Sequence, residues 1–192
     1  MLTSIQQELN RGASLLGGAA SDSRLIEAVA TVADVSVSAL RNGNKILLCG
    51  NGGSAADAQH WAGELVSRFY FDRPALPAIA LTTDTSILTA IGNDYGYEQL
   101  FARQVQALGN KGDVLLAIST SGKSPNILAA VKAAKAKSVV TVGFTGAKGN
   151  DLAALADHCI HAPSDSTPDI QLVHEAIGHT ICMLIEEQLF KK

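Results

Sequence analysis

Aromatic side chains are scarce in this chain. They make up 5% of its 192 residues, with one tryptophan, so the core must come from the aliphatic residues that dominate a 47% hydrophobic composition. Such a composition suits buried parallel strands covered by alanine-rich helices. It also leaves apolar surface for subunit contacts. Concentrated positive charge is missing too. The net charge is −3 and no basic run appears, which argues against a nucleic-acid partner, because binding a phosphate backbone needs clustered Lys and Arg. No apolar run reaches the length of a membrane span, and no membrane partner is expected. The opening segment, Met1 to Glu8, has no basic stretch followed by an apolar block, so a signal peptide is not expected either. The cysteines, Cys49, Cys159 and Cys182, are odd in number and sit in apolar segments. They read as buried thiols in a reducing compartment, the cytoplasm, rather than as a disulfide framework.

What is present is alternation. Apolar positions at helical spacing run through Ile5 to Leu16 and Leu25 to Leu40, which predicts two leading helices with no strand between them. Short apolar runs follow at Lys45 to Gly50, Ala78 to Leu81, Asp113 to Ile118, Val139 to Phe144 and Cys159 to His161. Between them lie helical patterns at Ser54 to Phe69, Thr85 to Ile91, Glu98 to Leu108, Ser124 to Ala136 and Leu152 to Ala156, and a final one at Thr167 to Leu189. Strands alternating with helices predict right-handed βαβ units, and hence an α/β fold with a doubly wound parallel five-stranded sheet flanked by helices. One domain over 1–192 is expected, with a helical extension over about 1–42 and an α/β core over about 43–192. The extension packs on the sheet or on another subunit.

Ligands of open parallel sheets bind beyond the carboxyl ends of the strands. Two loops there look prepared for an anion. Gly50-Asn51-Gly52-Gly53-Ser54 allows close backbone approach, and Ser54 is a candidate cap for the next helix. Ser119-Thr120-Ser121-Gly122-Lys123-Ser124-Pro125 puts four hydroxyls before a helix start, with Ser124 as N-cap and Pro125 as first helical residue. Two nucleotide signatures are absent. Ala117 stands where a Walker A loop needs its first glycine, and no G-x-G-x-x-G follows any strand. A phosphate held by hydroxyls and backbone amides, with little fixed cationic charge, suits a small sugar phosphate.

Two helix-borne pairs carry the chemistry. His60 and Glu64 are four residues apart, about one turn, and Gln171 and His179 are eight apart, about two turns. Two imidazoles, a carboxylate and an amide that converge can move protons, hold a metal, or both. Other polar groups are less informative. Gly92-Asn93-Asp94-Tyr95-Gly96 reads as a turn in which Asn93 and Asp94 can accept sugar hydroxyls. His158 and His161 suit surface or edge positions, and His174 fits either the rim of a site or helix packing. Thr167-Pro168 repeats the cap-plus-proline signal and puts Gln171 in the first turns of its helix.

These pieces, in this order, resemble the sugar isomerase (SIS) domain proteins, and more narrowly the bacterial phosphoheptose isomerases. The resemblance spans nearly the whole chain. It implies a single SIS-type domain that converts sedoheptulose 7-phosphate to D-glycero-D-manno-heptose 7-phosphate, the first step toward the nucleotide-activated heptose of lipopolysaccharide core. It implies a cytoplasmic homotetramer with one zinc per subunit held by His60, Glu64, Gln171 and His179. Glu64 and His179 would be the catalytic pair. Asn51, Gly52, Gly53, Ser54, Asn93, Asp94 and Gln171 would contact substrate, and Ser119, Thr120, Ser121 and Ser124 would hold its phosphate. One departure, a single glycine in Ala147-Lys148-Gly149-Asn150, is expected to alter a surface turn only. The rival comes from another class. Similar SIS proteins tether a replication initiator without catalysis, but they lack the acid at the Glu64 position and the histidine at the His179 position. A SIS sugar-phosphate sensor fused to a DNA-binding module fails for want of room and basic charge.

Overall fold

The computed structural model describes residues 1–148 and 151–191. Gly149 and Asn150 of the departing turn lie outside the described residues. Helices α1 (Leu2–Ser21) and α2 (Ser23–Arg41) come first, joined at Asp22, whose carboxylate accepts from the Arg24 and Leu25 amides to start α2. The rest alternates. Strand β1 (Ile46–Gly50) leads to α3 (Gly53–Val66), and β2 (Ala78–Ala80) to α4 (Thr85–Tyr95). A 3-10 turn at Tyr97–Gln99 runs into α5 (Leu100–Leu108) and β3 (Val114–Ile118). Then come α6 (Pro125–Ala136), β4 (Val140–Thr145), α7 (Asp151–Leu155), β5 (His158–His161) and the long α8 (Thr167–Phe190).

All strand pairs are parallel, in the order β2-β1-β3-β4-β5. The order reverses direction between β1 and β3, so their carboxyl ends open a crevice. Side chains alternate across the sheet. Leu48, Leu116, Ile118 and Phe144 face a core shared with α2, α3 and α8, whereas Leu47, Cys49, Leu115 and Ala117 face α5, α6 and α7. Trp61, only 1% exposed, sits in the first core. Helix α2 contributes Val29, Val32 and Val37 to that core, so half of the helical extension packs on the sheet. Helix α1 buries only Gly12 and Ala19 and leaves Leu2, Ile5 and Leu9 exposed.

Three local expectations are corrected. Gly92, Asn93, Asp94 and Tyr95 are not a turn. They complete α4, which stops at Gly96, where φ is 85°. Ser54 does not cap α3. Gly52 holds the N-cap position at φ 58°, a conformation that favours glycine, and Ser54 is buried inside the helix. Ser166, not Thr167, is the N-cap of α8, and Thr167 is its first residue.

Candidate functional site

The crevice is walled by the two loops expected to meet an anion. Gly50 ends β1, and a Cβ there would lie 2.3 Å from the Ser54 carbonyl oxygen, so the loop folds back tightly on α3. Asn51 is fixed by a reciprocal amide pair with Asn126 of α6. Its Nδ2 donates to Asn126 Oδ1 at 2.9 Å, and Asn126 Nδ2 donates back to Asn51 Oδ1 at 2.8 Å. The Tyr97 hydroxyl donates to the same Asn51 oxygen at 3.0 Å. Asn126 is 2% exposed, and neither it nor Tyr97 stands out in the sequence. Their partner lies in a distant segment. A cavity of about 330 Å³ opens here, lined by Asn51, Gly52, Thr82, Thr89, Gly92 and Tyr97 among others. Asn93 and Asp94 are exposed beside it and hydrogen-bond each other at 2.7 Å.

On the second loop, the Ser124 hydroxyl does not cap its helix. It pairs with the Ser119 hydroxyl at 2.9 Å, and the Lys123 amide donates to Ser121 Oγ at 3.2 Å. Gly122, at φ 64°, makes the turn that leads this loop into the amino end of α6. Thr120, Ser121, Lys123 and Lys148 line a neighbouring cavity of about 250 Å³.

His60, Glu64 and His179 meet where α3 crosses α8. His60 Nε2 is 3.1 Å from Glu64 Oε1 and 3.3 Å from His179 Nε2. The ligand atoms of His60, Glu64 and His179 lie within 4.8 Å of one another. Three electron-pair donors crowded together repel unless they share a cation, whether a proton or a metal ion. Donors around a tetrahedral zinc, at roughly 2.0–2.1 Å, stand ~3.3 Å apart. Two of the spacings match that edge, so the set fits a small divalent cation. Gln171 is placed differently. Its amide presses against Gly53, where a Cβ would meet Nε2 at 2.4 Å. It therefore links α8 to the first loop, about two turns from His179.

A fourth polar side chain also reaches this point. Glu175 Oε1 lies 2.7 Å from His60 Nδ1 and 3.1 Å from His179 Nε2. Its other oxygen accepts from the Trp61 indole N–H at 3.0 Å. The signal for it was the one-turn spacing Gln171, Glu175, His179 along α8. One turn before Trp61, Asp57 Oδ2 is buried with no hydrogen-bond partner among the described residues. Burial, and then the charge of Glu175, push its carboxyl up to about 6. Phe69 packs its ring 5.5 Å from that of His179. His174, by contrast, is fully buried, faces Phe144 and bonds the Thr145 carbonyl at 3.1 Å. It belongs to helix packing. His158 is partly exposed at the sheet edge, and the exposed His161 bonds the Gly146 carbonyl at 3.1 Å.

The pattern of the SIS domain family matches residues 19–146. The phosphoheptose isomerase of Burkholderia pseudomallei (strain 1710b) is 58% identical over 191 residues, covering 100% of this chain and 97% of that protein. That of Aneurinibacillus thermoaerophilus is 57% identical over 187 residues, covering 97% of this chain and 92% of the relative. A solved phosphoheptose isomerase from Francisella tularensis superposes with a TM-score of 0.92 at 41% identity, covering 97% of this chain and 98% of that one.

Proposed function

The chain belongs to the phosphoheptose isomerases of the SIS-domain family, and from that premise we propose that it converts sedoheptulose 7-phosphate to D-glycero-D-manno-heptose 7-phosphate. The observation that carries this reading is the convergence of His60, Glu64 and His179 at one point of the α3–α8 crossing. The isomerisation moves a proton between two adjacent carbons and a second proton at the carbonyl oxygen, through an enediol. Glu64 is the carbon base and His179 the acid at oxygen, since a carboxylate and an imidazole divide those tasks naturally. The hydroxyls of Ser119, Thr120, Ser121 and Ser124, with the amino end of α6, take the phosphate. Asn51, Gly52, Gly53, Ser54, Asn93, Asp94 and Gln171 position the sugar hydroxyls. His60 begins two turns beyond Gly53, ~10 Å along α3.

Zinc is the metal this donor set fits. His60, Glu64 and His179 would hold it, leaving a fourth position to the Gln171 amide or a substrate oxygen. Bound there, it would polarise the carbonyl as a Lewis acid. Assembly is proposed as a homotetramer in the cytoplasm. Supporting it are an apolar groove of about 650 Å³ between α1, α2 and α8, with Leu16, Leu25, Ile26 and Leu184 in its walls, and the bare apolar face of α1. Among the described residues, no helix is long and apolar enough to cross a membrane. The product would enter synthesis of nucleotide-activated heptose for lipopolysaccharide core.

A turnover assay on sedoheptulose 7-phosphate, with zinc supplied, tests the reading. Accumulation of the aldose supports it. A folded, zinc-supplied protein that gives none overturns it, in favour of the non-catalytic tether for a replication initiator.

A further inference from the structure

We propose that Asn126 is a positioning residue which, with Tyr97, locks the Asn51 side chain and so holds the Asn51-Gly52-Gly53 loop in fixed register with the phosphate loop. The inference rests on the preceding reading of those loops as the sugar and phosphate sites. Asn126 is the second residue of α6, two positions after Ser124. Its Nδ2 donates to Asn51 Oδ1 at 2.8 Å, and its Oδ1 accepts from Asn51 Nδ2 at 2.9 Å, across 75 positions of sequence. The Tyr97 hydroxyl donates to the same Asn51 oxygen at 3.0 Å from the turn that follows α4. Three segments around the crevice are thus tied at one amide: the end of β1, the amino end of α6, and the turn just beyond Asn93 and Asp94.

The direction of support follows from what anchors each partner. Helix α6 is held by the sheet, with Ile127, Ala130, Val131 and Ala134 fully buried in a core with Leu115 and Ala117 of β3. Asn126, 2% exposed, is therefore in place whatever Asn51 does. The Asn51 loop has less to hold it. Asn51 is only partly buried, and the two residues after it are glycines. The loop's backbone bonds are local: the Ser54 amide donates to the Asn51 carbonyl at 3.1 Å and the Ala55 amide to the Gly52 carbonyl at 3.0 Å. The Asn51 side chain supplies the long-range ones. An amide side chain offers two lone pairs on oxygen and two N–H donors. Asn126 and Tyr97 fill both lone pairs, and Asn126 takes one N–H. Toward a sugar, Asn51 can then donate its remaining N–H but cannot accept. An apolar pair could fill the same space but would leave the loop free to turn.

Asn126→Leu keeps the volume, removes both hydrogen bonds and adds no charge near the phosphate loop. Tyr97→Phe removes the outer hydroxyl alone. Inorganic phosphate, titrated by calorimetry, reads the α6 end by itself. In Asn126→Leu the phosphate Kd should stay near the parental value, because α6 remains on the sheet. The kcat for sedoheptulose 7-phosphate should fall about 10- to 100-fold, the scale on which a small misplacement slows a reaction, with KM changed less than kcat. Backbone order from ¹⁵N relaxation should drop at Gly52 and Gly53 and stay parental at Ser121 and Gly122. Tyr97→Phe should lower kcat by less, and should add nothing in the Asn126→Leu background, since both residues act through Asn51. Parental kcat in Asn126→Leu overturns the proposal. So does a phosphate affinity that falls by the same factor as kcat, which would make Asn126 a support of the cradle. Additive effects overturn the shared action through Asn51. Should Asn126→Leu fail to fold, Tyr97→Phe decides: a lower kcat with parental phosphate affinity supports the role, and an unchanged kcat overturns it. A parent that turns over no sedoheptulose 7-phosphate overturns the isomerase reading alone, and the order of Gly52 and Gly53 in Asn126→Leu still decides this one.

Discussion

Two glutamates on α8, Glu175 and Glu186, lie three turns apart and do opposite work. Glu186 is fully buried and fully satisfied. Its oxygens accept from the Phe69 amide at 2.9 Å, the Tyr70 amide at 2.7 Å and Arg73 Nε at 3.1 Å. Arg73 in turn caps the carbonyls of Leu65 and Glu64 at 2.7 and 2.8 Å. Burial alone would raise the Glu186 carboxyl, but the Tyr70 and Phe69 amides and Arg73 outweigh it and hold the group below the usual carboxylate range. Glu175, partly exposed, faces two imidazoles and the unpartnered Asp57 across a space where donors and acceptors do not balance. Along one helix, the closed end terminates α3 and fixes the loop carrying Phe69. The open end is left for a ligand. A charge with every lone pair answered is structure, and a crowd of unanswered ones is chemistry.

The sharpest way to break that contrast is at its closed end. Glu186→Ala strands the Arg73 guanidinium, which is 1% exposed, and orphans two amides. Loss of one partner of a buried ion pair costs about 3–5 kcal/mol. Urea denaturation should show that loss, and turnover of the protein that remains folded should fall because Glu64 sits at the end of the helix Arg73 caps. At the open end the pattern inverts. Glu64→Gln keeps the shape and removes the proposed base, so turnover of sedoheptulose 7-phosphate should drop at least about 10²-fold, with little change in the denaturation midpoint. Near-parental turnover would remove Glu64 from the mechanism and leave the open end without its main role.

The contrast also explains what could be read from the sequence. The sheet and most helices were legible because strands buried on both faces read as short unbroken apolar runs, as Ile46 to Gly50 does, and helices impose a period of 3.6 on apolar residues, as Leu25 to Leu40 does. The pairs His60/Glu64 and Gln171/His179 were legible for the same reason, since helical spacing is local. Arg73 with Glu186 and Asn51 with Asn126 were not, because each joins segments far apart in sequence. Glu175 was overlooked although it stands one turn from both Gln171 and His179. A glutamate on a mostly apolar helix reads as a solvated face until Trp61 is seen beneath it. The caps failed at Ser54 and Thr167, and Ser124 holds the N-cap position of α6 without its hydroxyl capping the helix, because loop geometry decides which hydroxyl reaches a helix end.

The phosphate loop gives a third, milder test. Ser119 and Ser124 hydrogen-bond each other at 2.9 Å, and in the proposed cradle a phosphate would take both hydroxyls in place of that contact. Ser124→Ala should remove a hydrogen bond to a charged group, worth roughly 1.5–3 kcal/mol. Substrate affinity should weaken about 10- to 100-fold on that scale. Unphosphorylated sedoheptulose should bind parent and variant equally poorly. Equal affinity for the phosphorylated sugar would place the cradle elsewhere.

The smallest effect sharpens the contrast from within, because His174, next to Glu175, is closed yet incompletely satisfied. Its Nε2 bonds the Thr145 carbonyl at 3.1 Å, while Nδ1 has no partner among the described residues. Burial lowers the imidazole to about 4, against a weaker upward pull from the Thr145 carbonyl. An unfolded histidine titrates near 6.5. Between those values the unfolded chain binds a proton that the folded chain refuses, so stability falls as pH drops through that window and is fully present above it. Going from pH 7 to pH 5 should cost about 2 kcal/mol from this residue alone. Other groups titrate over the same range, and His174→Gln isolates the difference, since its amide can still donate to Thr145 but takes up no proton. The parent should lose stability more steeply than the variant between pH 7 and pH 5, by urea denaturation at each pH. Parallel slopes would mean that the native core accepts the His174 proton after all. The Nδ1 side would then have an unseen partner, and His174 would move from the closed class of residues on α8 to the open one.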